Sequence, residues 1–271
     1  MTYPGRDVLI ISDLHGNYLE LTAKMVELGY WRYLEPEYIE NQKYTHIECT
    51  DSCPYTIQLG DFFHNGDNEL NTLPRYNKYR DRNDYLISRV SYLFDEILLG
   101  NHEIFYYRNY FLDVGKFAGM ATCINSDVQR VIDERQTKLA TTVGPYLITH
   151  AGLDQFWIDQ YYFDIQNDVT KIANRLNERF QNYLAVGNAA GNHWPDITSV
   201  GWASGGSADV SGCLWLRPQE ITAKSSVLQI VGHTPKASHP MLNASLNYFF
   251  TDNDGISLVL YKHEDHQLIS L

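Results

Sequence analysis

The sequence predicts an α/β fold, and three observations support this prediction. Short apolar runs recur along the chain and are separated by polar or helical stretches. The first run, Val8–Ile11, is followed by a polar turn and then by a segment with Leu21, Met25 and Leu28 on one helical face. Strand, turn and helix in this order are typical of the opening of an α/β layer fold. At 271 residues and 44% hydrophobic side chains, the chain can also bury a substantial core.

The remaining elements are predicted from runs of the same kind. Gly29 indicates the end of the first helix, because glycine is the usual residue just after a helix terminus. After the first strand, the apolar runs predict strands at 55–59, 96–99, 146–149, 227–231, 247–250 and 256–261. An Asp-Gly pair at 254–255 lies between the last two runs and predicts that they form a β-hairpin.

We expect one domain over residues 1–271, with a partly helical cap insertion at about 153–212. Within the insertion, apolar residues from Val169 to Leu184 repeat at helical spacing and predict an amphipathic helix. A stretch rich in glycine and serine follows at 201–212. The chain shows no internal repeat that would indicate a solenoid.

The charge balance excludes several classes of partner. Acidic residues number 33 and basic residues 21, which gives a formal net charge of −12. Duplex nucleic acid and anionic membranes both require a positive field, so we expect neither as a partner. Four cysteines are too few for a disulfide scaffold. No leader-like segment precedes Val8, and we therefore expect a cytoplasmic protein.

Five of the predicted strands share one property, which is a metal-binding type of side chain at or just after the strand end. These side chains are Asp13 and His15, Asp61, Asn101 with His102, His150, and His233. The carboxyl ends of strands in open α/β sheets converge on one crevice, so we expect these residues to meet in a single site. Their mixed oxygen and nitrogen donors suit manganese, iron or zinc better than calcium.

The order and spacing of these residues resemble the calcineurin-like metallophosphoesterase superfamily. The family blocks D-x-H, G-D-x-x-D-R-G, G-N-H-E, H-G-G and G-H correspond here to 13–15, 60–66, 100–103, 150–152 and 232–233. Pro235 stands where many nucleases and cyclic-nucleotide phosphodiesterases of the superfamily have a second histidine. The Gly-His-Thr-Pro sequence at 232–235 resembles the phosphoprotein phosphatase branch and its bacterial and phage relatives. The segment from Leu214 to Arg217 also resembles the bacterial and phage enzymes of that branch.

This resemblance implies a four-layer α/β/β/α sandwich of two mixed β-sheets flanked by helices. It also implies a dinuclear centre of two divalent metal ions, with manganese expected and iron or zinc as alternatives. One ion would be held by Asp13, His15 and Asp61, and the second by Asp61, Asn101, His150 and His233.

The resemblance further implies roles in catalysis. His102 would protonate the leaving oxygen while a metal-activated water attacks phosphorus in line, with Asp61 shared by both ions. Arg217 would bind phosphate oxygens through its planar guanidinium group. Asn101 would contact the substrate as well as a metal ion.

The chain departs from the family blocks at His64 and Asn65, which replace the aspartate and the arginine of the second block. In the family, the aspartate orients the catalytic histidine and the arginine binds phosphate. We therefore expect His64 beside the catalytic residues and Asn65 at the substrate, where it brings no charge. A neutral histidine cannot hold His102 in its charged form as a carboxylate would. We accordingly expect slower hydrolysis, or a substrate with a good leaving group such as an aryl phosphate or a phosphoanhydride.

The leading interpretation is a metal-dependent phosphoric-ester hydrolase of the phosphoprotein phosphatase type, acting on a phosphoprotein or a small phosphoester. One alternative is a dinucleoside polyphosphate hydrolase. Another, from a different class, is a non-catalytic metal-binding module that recognises phosphorylated partners, which only the changes at His64 and Asn65 favour. The negative charge and Pro235 disfavour a nuclease. The sequence pattern leaves the oligomeric state open.

Overall fold

Two mixed β-sheets of five strands each lie at the centre of the structure. The structure is a computed structural model, and it describes residues 5–34, 37–39, 42–44, 47–62, 90–106, 125–186, 194–234, 240–252 and 255–271. Its strands are β1 (Val8–Ile11), β2 (Trp31–Tyr33), β3 (Glu37–Ile39), β4 (Gln42–Tyr44), β5 (Ile47–Cys49), β6 (Tyr55–Gln58), β7 (Glu96–Ile97), β8 (Ala140–Val143), β9 (Tyr146–Thr149), β10 (Leu228–Val231), β11 (Met241–Asn243), β12 (Tyr248–Phe250), β13 (Leu258–Tyr261) and β14 (Leu268–Ser270).

The helices lie between these strands along the chain. The α-helices are Tyr18–Glu27, Asn125–Arg135, Gln155–Tyr161, Val169–Val186 and Pro195–Thr198. Short 3₁₀ helices cover Glu103–Tyr106, Trp202–Ser204 and Pro218–Glu220. No helix within the described ranges is long and apolar enough to cross a membrane.

Each sheet has a parallel centre and antiparallel neighbours. The first sheet has the order β14-β13-β1-β6-β7, in which β1, β6 and β7 run parallel and β13 is antiparallel to β1. The second has the order β11-β12-β10-β9-β8, in which β12, β10 and β9 run parallel and the two outer strands are antiparallel. Several strand ends of each sheet therefore point the same way, as a shared site requires.

The alternation of side chains along β1 shows how the layers are stacked. Val8 and Ile10 belong to a core cluster between the two sheets, which also contains Ile148 and Ile230 from the second sheet. Leu9 and Ile11 point to the opposite face, where the helix Tyr18–Glu27 contributes to the same core cluster. On the second sheet, the helix Val169–Val186 packs against β8 and β9. This arrangement confirms the predicted α/β fold of two mixed sheets flanked by helices.

The expected β-hairpin near the end of the chain is wrong. Strand β12 pairs with β10 and β11 in the second sheet, whereas β13 pairs with β1 and β14 in the first. The Asp-Gly pair indicates a change of direction, but it does not specify which sheet the next strand joins. Both strands are buried on both faces, so a crossing between the sheets satisfies their apolar side chains equally well.

The other predicted strands lie within a residue or two of their expected bounds, and Gly29 follows the first helix with a positive φ of 74°. The amphipathic helix predicted in the 153–212 region is present as Val169–Val186. Asn177 of this helix lies beside β8, and its side-chain oxygen accepts the backbone N–H of Ala140 at 3.1 Å. The division of the chain into one domain with a cap stays a prediction.

Candidate metal centre

The loops that follow the parallel strands β1, β6, β7, β9 and β10 meet at one end of the two sheets, and hydrogen bonds from backbone N–H groups fix several of them to one another. The N–H of His15, after β1, donates to the carbonyl of Asp61, after β6, at 2.7 Å. The N–H of Gly232, after β10, donates to the carbonyl of His150, after β9, also at 2.7 Å. The two sheets are joined by the N–H of His233, which donates to the Asp13 carboxylate at 3.1–3.2 Å.

Asp61 lies at the centre of this site. Its Oδ2 atom is 3.6 Å from Nε2 of His150, 3.7 Å from Nε2 of His102 and 3.9 Å from Nε2 of His15. Its other oxygen accepts the backbone N–H of His102 at 3.0 Å. Three imidazoles from three different loops thus surround one carboxylate oxygen.

Two groups of potential ligand atoms share Asp61. One consists of Asp13, Asp61, His150 and His233, and the other of His15, Asp61 and His102. In each group, one ligand atom from every residue lies within 4.8 Å of the others. Asp13 therefore lies with the two histidines of the second sheet rather than with His15, and His102 lies with His15.

The ring of His150 has its ligand nitrogen free of a proton. Nδ1 lies 2.9 Å from the carbonyl oxygen of Leu59, and because a carbonyl only accepts, Nδ1 carries the hydrogen. Nε2 then presents its lone pair toward the side chains of Asn101, at 3.0 Å from Oδ1, and of His233, at 3.1 Å from Nδ1. A hydrogen bond from Nδ1 to a backbone carbonyl is typical of histidines that bind metals through Nε2.

The surroundings of the two groups fit a metal ion. Nε2 of His233 is buried and has no hydrogen-bond partner within the described residues. Space is also reserved around the carboxylates, because a Cβ atom at Gly232 would lie 2.4 Å from Oδ1 of Asp13 and one at Gly100 would lie 2.1 Å from Oδ1 of Asp61. Oxygen and imidazole ligands suit a borderline divalent cation.

The backbone is strained at three of these residues. His15, Asp61 and His233 have positive φ angles of 46°, 50° and 66°. Such a conformation in a residue other than glycine costs about 1–3 kcal/mol and tends to occur at functional sites. Here it turns each side chain from the end of its strand toward the common centre.

The pKa shifts indicate that Asp61 is ionised and that the rings of His150 and His233 are neutral. Burial alone would raise the pKa of Asp61, but the nearby histidines, foremost His102 and His150, lower it well below its ordinary value. Burial, followed by the charges of Asp252 and Asp61, raises the pKa of Asp13. Burial lowers the pKa of His150 and of His233, so both rings are held in the neutral form that binds metals.

Arg217 lies beside this site with most of its guanidinium group fixed. Nη1 donates to the carbonyl of His233 at 3.2 Å and to Oγ1 of Thr234 at 3.1 Å, and Nε donates to Oγ of Ser204 at 3.1 Å. Nη2 has no hydrogen-bond partner within the part of the chain that the structure describes. Within these described residues, the guanidinium group is thus oriented through Nε and Nη1.

Two buried carboxylates near the site were not predicted from the sequence. Glu103 accepts the backbone N–H groups of Asp61, Phe62 and Gly100 at 2.7, 2.9 and 2.8 Å. Asp252 follows β12 and lies close enough to raise the pKa of Asp13. The only signal for Glu103 was its place in the Gly-Asn-His-Glu block, and Asp252 had the same signal as Asp13, which is an acid just after a strand.

Of the predicted site residues, the structure brings together Asp13, His15, Asp61, Asn101, His102, His150 and His233, with Arg217 adjacent. His64 and Asn65 lie outside the described residues, as does Pro235. The roles assigned to all these residues stay predictions.

The matches to solved structures include two that extend over most of each chain. One is a presumed diadenosine tetraphosphatase, with a TM-score of 0.47 and 12% identity over 100% of this chain and 95% of that chain. The other is a metallophosphoesterase from Sphaerobacter thermophilus, with a TM-score of 0.41 and 13% identity over 97% of this chain and 86% of that chain. No curated protein matches the sequence.

The sequence profile of one protein family matches almost the whole chain. This family is described as Metallophos, calcineurin-like phosphoesterase, and the match runs from residue 7 to residue 264. The matched region contains every described residue of the site. The chain therefore belongs to the calcineurin-like phosphoesterase family and is a hydrolase that acts on phosphoric esters.

Proposed function

We propose that this protein is a phosphatase of the phosphoprotein phosphatase type that uses two divalent metal ions, with manganese as the preferred ion. The proposal rests on the position of Asp61. Its Oδ2 lies within 4 Å of three imidazole nitrogens, and the residue belongs to both ligand groups. A carboxylate shared in this way is suited to hold two cations side by side. Ions bound there would act as Lewis acids and lower the pKa of a water molecule toward about 7.

In this proposal, the other ligands are Asp13, His15, Asn101, His150 and His233. The hydrogen bond from His150 to Leu59 keeps the ligand nitrogen of that ring unprotonated. The backbone N–H of His233 donates to the carboxylate of Asp13 and orients it. This bond fixes ligands from the two sheets relative to each other.

His102 is proposed as the general acid. Its ring is partly exposed, with 17% of the side chain accessible, so it can reach a substrate as well as the metal site. Its Nε2 lies 3.7 Å from Oδ2 of Asp61, and in its protonated form the ring would give its proton to the leaving oxygen. This step requires no covalent intermediate on the protein.

Arg217 is proposed to bind the phosphoryl oxygens. Since Nε and Nη1 are already used by Ser204, His233 and Thr234, the Nη2 group is the donor that remains for substrate. Fixed donors of this kind stabilise the charge of a transition state without needing to reorganise. The substrate side chain or nucleoside is not specified by these contacts.

The proposal is tested by hydrolysis of p-nitrophenyl phosphate and of an alkyl phosphate with added manganese. Asp61→Asn should abolish both activities and lower manganese affinity in calorimetry. His102→Asn should slow the alkyl ester by about 10²–10⁴-fold but the aryl ester much less, because only a poor leaving group needs the proton.

The same variants separate the competing interpretations. A protein that binds manganese and phosphopeptides but hydrolyses none of these esters would be the non-catalytic module. Faster hydrolysis of dinucleoside polyphosphates than of any monoester would replace the proposed activity with that of a dinucleoside polyphosphate hydrolase. Equal effects of His102→Asn on both leaving groups would remove His102 as the acid.

A further inference from the structure

The stretch rich in glycine and serine at 201–212 contacts Arg217 beside the candidate metal centre. Near its start is the short 3₁₀ helix Trp202–Ser204, and Oγ of Ser204 accepts the hydrogen of Nε of Arg217 at 3.1 Å. The hydroxyl of Ser204 donates its own hydrogen to the carbonyl of Trp215 at 3.5 Å. Because a hydroxyl has one hydrogen and two lone pairs, this arrangement leaves the lone pairs of Ser204 for the guanidinium group.

The turn that carries Ser204 is closed by backbone hydrogen bonds. The N–H groups of Ser204 and Gly206 donate to the carbonyl of Gly201 at 3.1 and 2.9 Å. The N–H of Gly205 donates to the carbonyl of Trp202 at 3.1 Å, and Gly205 has a positive φ of 81°, which glycine adopts without steric cost. The hydroxyl of Ser204 is therefore presented from a tight turn.

The buried carboxylate of Glu220 joins this turn to the segment that carries Arg217. Glu220 is 4% exposed, and its Oε1 accepts the N–H of Ala203 at 2.8 Å while its Oε2 accepts the backbone N–H of Arg217 at 3.3 Å. A Cβ atom at Gly201 would lie 2.2 Å from Oε1 of Glu220, so the close approach of the carboxylate requires glycine there. The backbone on both sides of the contact between Ser204 and Arg217 is thus bonded to one side chain.

The guanidinium group of Arg217 is held from two different segments. Nη1 is bonded to the carbonyl of His233 and to the hydroxyl of Thr234, in the loop that carries a candidate metal ligand. If these were its only bonds, the planar group could pivot about Nη1. The bond from Nε to Ser204 removes this freedom, because two fixed nitrogens determine where the third one, Nη2, lies.

We propose that Ser204 is a positioning residue that orients Arg217 so that Nη2 faces a phosphoryl oxygen. This inference rests on the phosphate-binding role of Arg217 in the proposed function. Ser204 would act through the guanidinium group and would not touch the substrate. A donor that is already oriented stabilises charge in the transition state without reorganisation, which is the advantage that the hydroxyl supplies.

Ser204→Ala tests this role by removing the hydroxyl. The value of kcat/KM for p-nitrophenyl phosphate at saturating manganese should fall by about tenfold, because a hydrogen bond to a charged group is lost. Inhibition by inorganic phosphate should weaken, and manganese affinity should stay the same. Ser204→Thr keeps a hydroxyl and should recover most of the activity. Ser207→Ala removes an exposed hydroxyl from the same stretch and is the matched control, with unchanged kinetics.

A double-mutant cycle with Arg217→Lys separates positioning from a purely structural role. If Ser204 acts through the guanidinium group, Ser204→Ala should have little further effect once Arg217→Lys is present. A structural role would lower kcat/KM by the same factor in both backgrounds, and such independent effects would overturn the proposal.

Titration of the manganese-loaded protein with inorganic phosphate distinguishes this proposal from the proposed function, because calorimetry detects phosphate binding without hydrolysis. Weaker phosphate binding in Ser204→Ala, in a protein that hydrolyses none of the esters, would support the role of Ser204 and reject the phosphatase. Hydrolysis and phosphate binding that Ser204→Ala leaves unchanged would overturn the role of Ser204 and leave the proposed function intact.

Discussion

The side chain of Glu103 accepts the backbone N–H of Asp61 at 2.7 Å and thereby ties the loop after β7 to the loop after β6. The same carboxylate accepts the N–H groups of Phe62 and Gly100, and Glu103 is only 1% exposed. Burial, followed by the charge of Asp61, raises its pKa to about 8. This residue therefore positions Asp61 from behind without being a ligand in the proposed centre.

Glu103→Gln should weaken metal binding. The amide nitrogen would face one of the three backbone N–H groups and leave it unsatisfied, which costs about 1–3 kcal/mol of unfolding free energy. Because Asp61 would lose its fixed position, manganese affinity should fall by about 10–100-fold. Calorimetric titration with manganese and urea unfolding measure the two effects separately.

Asp154→Asn is the matched control for this variant. Asp154 is also fully buried, and it accepts the backbone N–H of Phe156 at 2.8 Å and that of Thr222 at 2.9 Å, neither of which is a candidate metal ligand. It should lose a similar amount of stability and keep its manganese affinity. Equal losses of affinity in both variants would show that Glu103 acts only through global stability.

Asp13→Asn should stabilise the metal-free protein at neutral pH. Burial and the charges of Asp252 and Asp61 raise the pKa of Asp13, so the folded chain holds this proton to a higher pH than the unfolded chain does. The stability of the metal-free protein therefore falls as the pH rises from the ordinary value of 3.8 through the raised pKa, by about 1.4 kcal/mol for each pKa unit.

Urea unfolding of chelator-treated protein at pH 5 and pH 8 measures this effect. The difference in unfolding free energy between wild type and variant should favour the variant more at pH 8 than at pH 5. Asparagine keeps an oxygen for the N–H of His233, so the local structure should persist. The variant should also bind manganese more weakly. A variant that is less stable than wild type at pH 8 would contradict the prediction.

Arg217→Lys should reduce hydrolysis without affecting metal binding. A lysine cannot donate to Ser204, to the carbonyl of His233 and to a phosphoryl oxygen in one plane. We expect kcat/KM to fall by about 10²-fold, with a contribution from KM. Arg175→Ala, which removes a surface ion pair with Asp164, is the control and should leave the kinetics unchanged. A fall in manganese affinity for Arg217→Lys would indicate that the arginine supports the ligands instead.

Some of these features follow from the sequence and others do not. Asp13, Asp61 and His150 were predicted to meet because each follows an apolar strand, and parallel strand ends share an edge. The grouping of Asp13 with His150 and His233 depends on loop geometry, which strand order does not encode. The bonds of Glu103 were not predictable, since backbone donors have no sequence signature. The pairing of β12 was mispredicted because turn residues do not specify the sheet.

His64 and Asn65 replace the aspartate and the arginine of the family block. Both residues lie outside the described part of the chain, so the prediction for them is based on the sequence. A carboxylate next to the proposed acid His102 would favour its charged form, and an arginine would add a positive charge at phosphate. The double variant with His64→Asp and Asn65→Arg should therefore raise kcat for an alkyl phosphate by about tenfold or more.

The gain for p-nitrophenyl phosphate should be smaller, because its leaving group needs little protonation. The ratio of the two rates, measured at saturating manganese, separates acid catalysis from improved binding. Asn65→Arg alone should lower KM for both esters and leave this ratio unchanged. An unchanged ratio in the double variant as well would mean that His102 receives its support from another group, and that His64 is not what limits proton transfer.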